Sequence, residues 1–308
     1  MGDMQKQPTY KLGLIVSLAA AACTTTKMTP AGDAHADHTA MPSSSNASAA
    51  VAAADTSSAI PPDAAGAAAR LSVSPRHGEW AMIRTGDRDS VKAWVVYPER
   101  STKAPVVIVI HEIFGLSTWV RSVADQLAAD GFIAIAPDLL TMKNLPTGPD
   151  SLVARVATDS IRTLDPVSVQ KQLDAVAQYG MSLPAAQKKY GIVGFCWGGG
   201  VSFAHAVHAP SLGASVVYYG TSPKTSDLAS VRAPVLGLYA GNDARVDATI
   251  PAADTALHAL GRTYTYNVYP GAGHGFLRNQ TGMNGANMTA TRAAWPATIA
   301  WFKKYLGS

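Results

Sequence analysis

Charged residues and cysteine are both scarce in this chain of 308 residues. Asp, Glu, Lys and Arg make up only 15% of it against 47% hydrophobic residues, a balance that excludes a wholly disordered protein. The 25 basic and 21 acidic residues give a net charge of +4 without a basic block, so we expect no nucleic-acid partner. The two cysteines, Cys23 and Cys196, exclude a disulfide framework and form no CxxC zinc pair, so each needs its own explanation.

The first 23 residues have the features of an export signal. Lys6 and Lys11 precede an uncharged run over residues 12–22, which is too short for a membrane-spanning helix of roughly 20 residues. Small alanines then precede Cys23, where a signal peptidase would cut and where a bacterial lipoprotein carries its acylated cysteine. No leucine stands three positions before Cys23, so plain secretion and lipidation both stay open. We predict an exported protein, either periplasmic or anchored to the membrane by lipid.

Large apolar side chains are nearly absent from residues 24–70. This stretch of Ala, Ser, Thr, Pro and Asp cannot bury enough surface to offset its chain entropy. We therefore predict a disordered tether over residues 24–70, followed by one folded domain over residues 71–308. The tether contains one group of residues that resemble metal ligands, namely Asp33, His35, Asp37 and His38. We interpret this group as solvated linker, and we expect no metal or other cofactor.

Beyond residue 70, short apolar runs alternate with amphipathic segments. This pattern predicts an α/β fold with a mostly parallel sheet and helices on both faces. Buried strands are predicted at 105–110, 132–137, 190–195, 214–219 and 233–240. An edge hairpin and a last strand are predicted at 80–84, 91–97 and 264–269. Helices are predicted at 118–130, 166–179, 199–208, 249–260 and 287–305. The long segment 138–165, which we call the excursion, leaves the carboxyl end of a strand and is expected to lie over that edge of the sheet.

The most specific motif is Gly194-Phe195-Cys196-Trp197-Gly198-Gly199-Gly200, at a predicted strand-to-helix turn. It has the form of a nucleophile elbow with cysteine in place of serine, and no GxSxG string occurs in the chain. A sharp turn of this kind strains the nucleophile and needs glycine where neighbouring chains approach closely. The alternative is that Cys196 is a small buried residue and that the glycines only allow close packing.

Two later turns carry an acid and a histidine in the chain order of an α/β-hydrolase triad. Asp243 follows the apolar strand in Leu238-Tyr239-Ala240-Gly241-Asn242-Asp243, and His274 lies in Gly271-Ala272-Gly273-His274-Gly275 after the last strand. We predict that His274 exchanges a proton with Cys196 while Asp243 orients the imidazole. Asp247 is the competing acid, and we interpret it as a charge at a helix start. His205 and His208 are interpreted as packing or surface residues.

The sequence His111-Glu112-Ile113-Phe114-Gly115 ends the 105–110 strand. In this fold the loop at that place supplies an oxyanion donor, so we expect the backbone amides of Ile113 and Trp197 to bind the developing charge. Glu112 is either a carboxylate that controls the protonation of the thiol or a solvent-facing loop acid.

Together, the HEIFG, GFCWGGG, GNDARV and GAGHGF segments resemble those of the dienelactone hydrolase family, α/β-hydrolases with a Cys-Asp-His triad. The resemblance covers residues 71–308 and implies hydrolysis of a lactone or ester through a thioester on Cys196. It also implies that Glu112 draws the proton from the thiol once substrate binds. The family binds an anionic substrate through two arginines, which correspond here to Arg278 and to either Arg155 or Arg162.

We therefore predict an exported, monomeric hydrolase that acts on a small lactone or ester, with an anionic group on the substrate expected from the resemblance. A second hypothesis is a non-catalytic exported binding protein on the same scaffold. A third is that Cys196 senses oxidants, because a thiol of low pKa without a resolving partner is a site of oxidation.

Overall fold

An eight-stranded, mostly parallel β-sheet lies at the centre of the computed structural model, which describes residues 59–145 and 150–307. The strands are β1 (Gly78–Arg84), β2 (Ser90–Val96), β3 (Ala104–Ile110), β4 (Ile133–Asp138), β5 (Ala186–Phe195), β6 (Ala214–Tyr218), β7 (Val235–Asn242) and β8 (Tyr264–Gly273). Their order across the sheet is β1-β2-β4-β3-β5-β6-β7-β8, and the antiparallel pairs are β1 with β2 and β2 with β4. The predicted fold class is confirmed, including the edge hairpin.

Helices cover both faces of the sheet. They are α1 (Ala67–Ser72), α2 (Thr118–Ala129), α3 (Asp150–Ile161), α4 (Pro166–Ser182), α5 (Trp197–His208), α6 (Ala244–Asp247), α7 (Ile250–Ala259) and α8 (Ala286–Leu306). Five of these were predicted, with bounds that differ by a few residues, whereas α1, α3 and α6 were not. Within the described ranges, no helix combines the length and the apolar character needed to cross a bilayer.

The core consists of two apolar layers, one on each face of the sheet. All seven residues of β3 are buried, and its alternate side chains enter opposite layers. Ile108 packs in the layer that contains the buried face of α4, whereas Val107 packs in the layer that contains α2 and α8. Burial on both faces explains why β3 has a continuous apolar sequence instead of an alternating one.

The boundary predicted at residue 70 is wrong, because residues 59–70 pack on the domain. The indole nitrogen of Trp119 donates a hydrogen bond to the carbonyl of Pro62 at 3.1 Å, and the amide of Gln280 donates to the carbonyl of Pro61 at 2.9 Å. Ala67 is fully buried. Backbone carbonyls and small alanines therefore supply the contacts that we expected only from large apolar side chains. The predicted signal, Cys23 and the rest of the tether lie outside the described residues.

The carboxyl ends of the parallel strands gather the motifs at one edge of the sheet. From β3 the chain proceeds to β4 on one side, whereas β5 and the strands after it lie on the other side. Such a switch point leaves a crevice beyond the strand ends, where ligands bind in open α/β sheets. Glu112 follows β3 and Cys196 follows β5, so these two residues flank that crevice.

Candidate active site

Cys196 occupies the sharp turn between β5 and α5. Its backbone has φ 58° and ψ −117°, which is a strained conformation for a residue other than glycine. A Cβ atom on Gly194 would lie 1.9 Å from the carbonyl oxygen of Gly198, and one on Gly198 would lie 2.4 Å from that of His111. The glycines are therefore required by contacts between backbones, as the elbow interpretation predicts.

Two backbone amides point at the sulfur of Cys196. Burial raises the pKa of this thiol and the nearby Glu112 carboxylate raises it further, whereas hydrogen bonds from Trp197 and Ile113 and the charge of Arg245 lower it. The structure thus brings together the two amides predicted to form the oxyanion hole. In this conformation both amides donate their hydrogen bonds to the sulfur of Cys196. Groups that stabilise a thiolate here would also stabilise an oxyanion formed at the same place.

His111 fixes the loop that carries Ile113. Its Nδ1 lies 2.7 Å from the carbonyl oxygen of Glu112, and its Nε2 accepts a hydrogen bond from the backbone amide of Leu139. The imidazole is completely buried, and burial lowers its pKa, so it is neutral at pH 7. It also stacks on Trp197, with 5.5 Å between ring centres. A single buried ring therefore connects the loops after β3, β4 and β5.

Asp243 and His274 meet at the ends of β7 and β8. The His274 Nδ1 hydrogen-bonds to the Asp243 carboxylate, which is buried. Asp247, the competing acid, makes no hydrogen bond to His274 within the described residues, and its Oδ1 is buried without a partner there. In the same part of the chain no hydrogen bond joins Cys196 to His274. Proton exchange between them therefore requires the thiol to turn away from the two amides.

Glu112 is buried beside a cation and is not a solvent-facing loop acid. Its carboxylate lies 3.2 Å from the Nε of Arg278, whose guanidinium also lies over the ring of Phe114 at 4.7 Å. Burial raises the pKa of Glu112 to about 7, although Arg278 opposes the shift. The carboxyl group therefore titrates close to neutral pH, which suits a group that accepts and returns a proton.

A cavity of about 430 Å³ adjoins the thiol, and we call it the acyl cavity. Its walls come mainly from the start of α4, from α5 and from the loop after β6. The residues that line it are Ile113, Leu164, Pro166, Val169, Gln170, Cys196, Trp197, Gly200, Val201, Ala204, Thr221, Ser222, Pro223 and Arg245. Neither Arg155 nor Arg162 is among them, and both side chains are exposed. The arginine that does line the cavity is Arg245, which sequence reasoning missed although it belongs to the GNDARV motif.

The excursion 138–165 contributes to this site. Leu140, Ala157 and Ile161 are buried and form a small cluster against Ile113 and Trp197. Leu164, at the end of the excursion, reaches the acyl cavity. The described parts of this segment are thus packed over the oxyanion loop and the residue after the nucleophile.

Two further polar residues of the site were not predicted. Tyr219, which directly follows β6, is buried with its ring 5.1 Å from that of His274. Gln170 is in the second turn of α4 and lines the acyl cavity. Neither belongs to a recognisable motif. The only available indications were the place of Tyr219 at a strand end and the place of Gln170 near the start of a helix.

Known proteins resemble this chain in sequence and in fold. The sequence profile of the dienelactone hydrolase family matches residues 91–306. A candidate carboxymethylenebutenolidase of Salmonella typhi is 33% identical over 238 residues, which cover 71% of this chain and 84% of that protein. A carboxymethylenebutenolidase homolog of Xenopus tropicalis is 29% identical over 230 residues, which cover 71% of this chain and 89% of that protein. The crystal structure of a candidate dienelactone hydrolase of Klebsiella pneumoniae superimposes with a TM-score of 0.66 at 28% identity, over 75% of this chain and 99% of that one.

Proposed function

The chain belongs to the dienelactone hydrolase family of ester-cleaving hydrolases, and we propose that it hydrolyses a small lactone or carboxylic ester through a thioester on Cys196. One observation carries this proposal: a strained cysteine at a strand-to-helix elbow receives two backbone amides, and an Asp-His pair lies at the same edge of the sheet. These are the parts that acyl transfer needs, namely a nucleophile, an oxyanion site and an oriented base.

In the first half-reaction the proposed base for the thiol is Glu112. Its carboxylate takes the proton, the sulfur attacks the acyl carbon, and the amides of Ile113 and Trp197 bind the oxyanion. The ester C–O bond then breaks, and the leaving oxygen takes up the proton held by Glu112. In the second half-reaction His274 takes a proton from water, hydroxide attacks the thioester, the C–S bond breaks, and the imidazolium returns the proton to sulfur.

Arg278 couples this chemistry to substrate binding in our proposal. Its charge lies against Glu112 in the free protein, at 3.2 Å. An anionic group of the substrate that engaged Arg278 would weaken that ion pair and make the carboxylate a stronger base. The thiol would then lose its proton mainly when substrate is present.

The test is thiol-dependent turnover by the purified full chain. A dienelactone and a neutral p-nitrophenyl ester are offered to the wild type, to Cys196→Ala and to Asp243→Asn. We expect Cys196→Ala to abolish turnover and Asp243→Asn to lower kcat by about 10⁴-fold with folding intact, because the imidazole loses its orienting partner. Asp247→Asn is the matched control and should leave kcat within a few fold of the wild type.

Turnover that persists in Cys196→Ala would contradict the thioester route. If the folded wild type acts on neither substrate, the result favours the second hypothesis, a binding protein on a hydrolase scaffold.

Export is a separate proposal that rests on the sequence alone. We propose that residues 1–23 direct the chain out of the cytoplasm and that Cys23 is acylated. Mass spectrometry of the mature protein from a bacterial host tests both parts. An amino terminus at a diacylglyceryl Cys23 is expected, whereas an uncleaved Met1 would refute export and an unmodified Cys23 would refute lipidation.

A further inference from the structure

The acyl cavity has mostly apolar walls, and the structure shows which polar atom Gln170 can offer into it. Gln170 is half-buried, and the oxygen of its side-chain amide lies 2.7 Å from the Nδ1 of His205. The nitrogen of the same amide has no hydrogen-bond partner among the described residues. That nitrogen is therefore available to a ligand in the cavity.

One arrangement of a buried hydrogen-bond chain leaves this nitrogen free. His205 is fully buried on α5, and the hydroxyl of Tyr190 lies 3.1 Å from its Nε2. Burial lowers the pKa of His205 to about 4, so at pH 7 the ring is neutral, with one nitrogen that donates and one that accepts. When the Tyr190 hydroxyl donates to Nε2, the proton of the ring is on Nδ1. Nδ1 then donates to the Gln170 oxygen, and the amide nitrogen is the end left free.

We propose that Gln170 is a specificity-determining residue, whose amide donates a hydrogen bond to an acceptor oxygen on the acyl chain of the substrate. The favoured substrates would be esters with an apolar acyl chain that carries one carbonyl oxygen a few carbons beyond the scissile group. This inference rests on the proposed function, since the acyl chain is the part that stays attached to Cys196 in the thioester.

The other polar residues of the cavity are less suited to this role. Arg245 is exposed, so water competes for its guanidinium. The backbone amide of Ser222 is already bonded to the Thr249 hydroxyl, which in turn donates to the carbonyl of Val246. The Ser222 hydroxyl is hydrogen-bonded to the buried hydroxyls of Tyr239 and Tyr264. The Gln170 amide also has buried partners behind it, and its nitrogen has no hydrogen-bond partner among the described residues.

The experiment compares p-nitrophenyl hexanoate with p-nitrophenyl 5-oxohexanoate, which differ only by a carbonyl in place of a methylene. The measured quantity is the ratio of kcat/KM for the two esters in the full chain, after subtraction of the rate with Cys196→Ala. We expect the wild type to favour the oxo ester. Gln170→Met keeps the size of the side chain and should lower the ratio by about 3- to 10-fold, as one uncharged hydrogen bond allows. Because the measured quantity is a ratio, any change that Gln170→Met causes in the turnover of both esters cancels.

A matched control is available on the same helix. Gln172→Met makes the same exchange at a half-buried position that does not line the acyl cavity, so it should leave the ratio unchanged. A ratio near one in the wild type, a preference that survives in Gln170→Met, or an equal loss in Gln172→Met would each overturn the proposal. Absence of Cys196-dependent turnover of both esters would instead overturn the proposed function.

His205 and Tyr190 act as positioning residues, and Tyr190→Phe tests that role. This variant keeps the ring and removes the hydroxyl, so the proton of His205 is free to move to Nε2 and the Gln170 amide is free to flip. We expect part of the preference for the oxo ester to be lost, and no further loss when Tyr190→Phe is added to Gln170→Met. Additive losses in the double variant would show that Tyr190 acts otherwise than through Gln170.

Discussion

Two adjacent tyrosines at the end of β6 differ in what holds their hydroxyl groups. Both are fully buried. The Tyr218 hydroxyl lies 2.7 Å from the hydroxyl of Thr298, whereas the Tyr219 hydroxyl has no hydrogen-bond partner among the described residues. Tyr219 also has a positive φ of 38°. A buried polar group without a partner lowers the stability of a fold, and such groups concentrate where a protein binds or reacts.

Replacing each tyrosine with phenylalanine should therefore change stability in opposite directions. Tyr219→Phe removes an unpaired polar atom and should raise the free energy of unfolding by about 1 kcal/mol or more. Tyr218→Phe removes a hydrogen bond and should lower that energy by about 1 kcal/mol. Denaturation in urea measures both, and a loss of stability in Tyr219→Phe as large as in Tyr218→Phe would contradict the assignment.

The buried carboxyl of Glu112 should make stability depend on pH. Its pKa of about 7 lies above the ordinary value of 4.5, so the folded state holds the proton more tightly than the unfolded state. The resulting stabilisation is complete below pH 4.5 and is lost as the pH rises through 7. Glu112→Gln cannot ionise, so it should be more stable than the wild type at pH 8, by about 3 kcal/mol at most.

That difference should shrink as the pH falls toward 4.5. Thermal unfolding of the two proteins at several pH values provides the measurement. A constant difference across that range would show that Glu112 does not titrate as its burial requires.

At the scale of elements, the turn from β5 to α5 depends on particular glycines and not on glycine content. A Cβ on Gly194 would lie 1.9 Å from the backbone of Gly198, but a Cβ on Gly200 would meet nothing closer than the Thr221 side chain at 3.4 Å. We expect Gly194→Ala to abolish folding or to cost more than about 3 kcal/mol. Gly200→Ala should be neutral or stabilising by up to about 1 kcal/mol, because alanine favours a helix interior. Circular dichroism during thermal denaturation distinguishes the two, and equal effects would contradict the close approach.

The elements that were predicted from sequence are continuous apolar runs and long amphipathic segments. The β-branched run at 105–110 corresponds to β3, and the helix predicted at 287–305 corresponds to α8, which continues through Pro296. By contrast, α3 was missed although its apolar residues recur at helical spacing, because it lies inside the excursion 138–165, which has mixed polarity. The pairing of Asp243 with His274 followed from their places at strand ends. The Gln170–His205 contact could not be predicted in this way, because it joins two helices whose packing no local pattern specifies.

At the scale of the whole molecule, residues 59–70 act as a brace on the domain. Besides the Pro61 and Pro62 contacts, the backbone amide of Ala64 donates to the carbonyl of Arg278 at 2.9 Å. A fragment that starts at residue 71 would leave Trp119 and Gln280 without these acceptors and would expose the surface under Ala67. We expect it to unfold at a lower temperature than a fragment that starts at residue 59, with a loss of roughly 2–4 kcal/mol. Calorimetry of the two fragments measures this difference. Equal transition temperatures would show that residues 59–70 do not stabilise the domain.

The elbow cysteine also provides a way of counting working molecules. Cys196 is the one cysteine that follows residue 23, so any preparation trimmed beyond that point contains a single sulfhydryl per chain. A chromogenic disulfide reagent counts this sulfhydryl in folded and unfolded chains alike, and the part of the reaction that a bound ester prevents gives the number of working elbows. Rates can therefore be expressed per competent centre instead of per milligram.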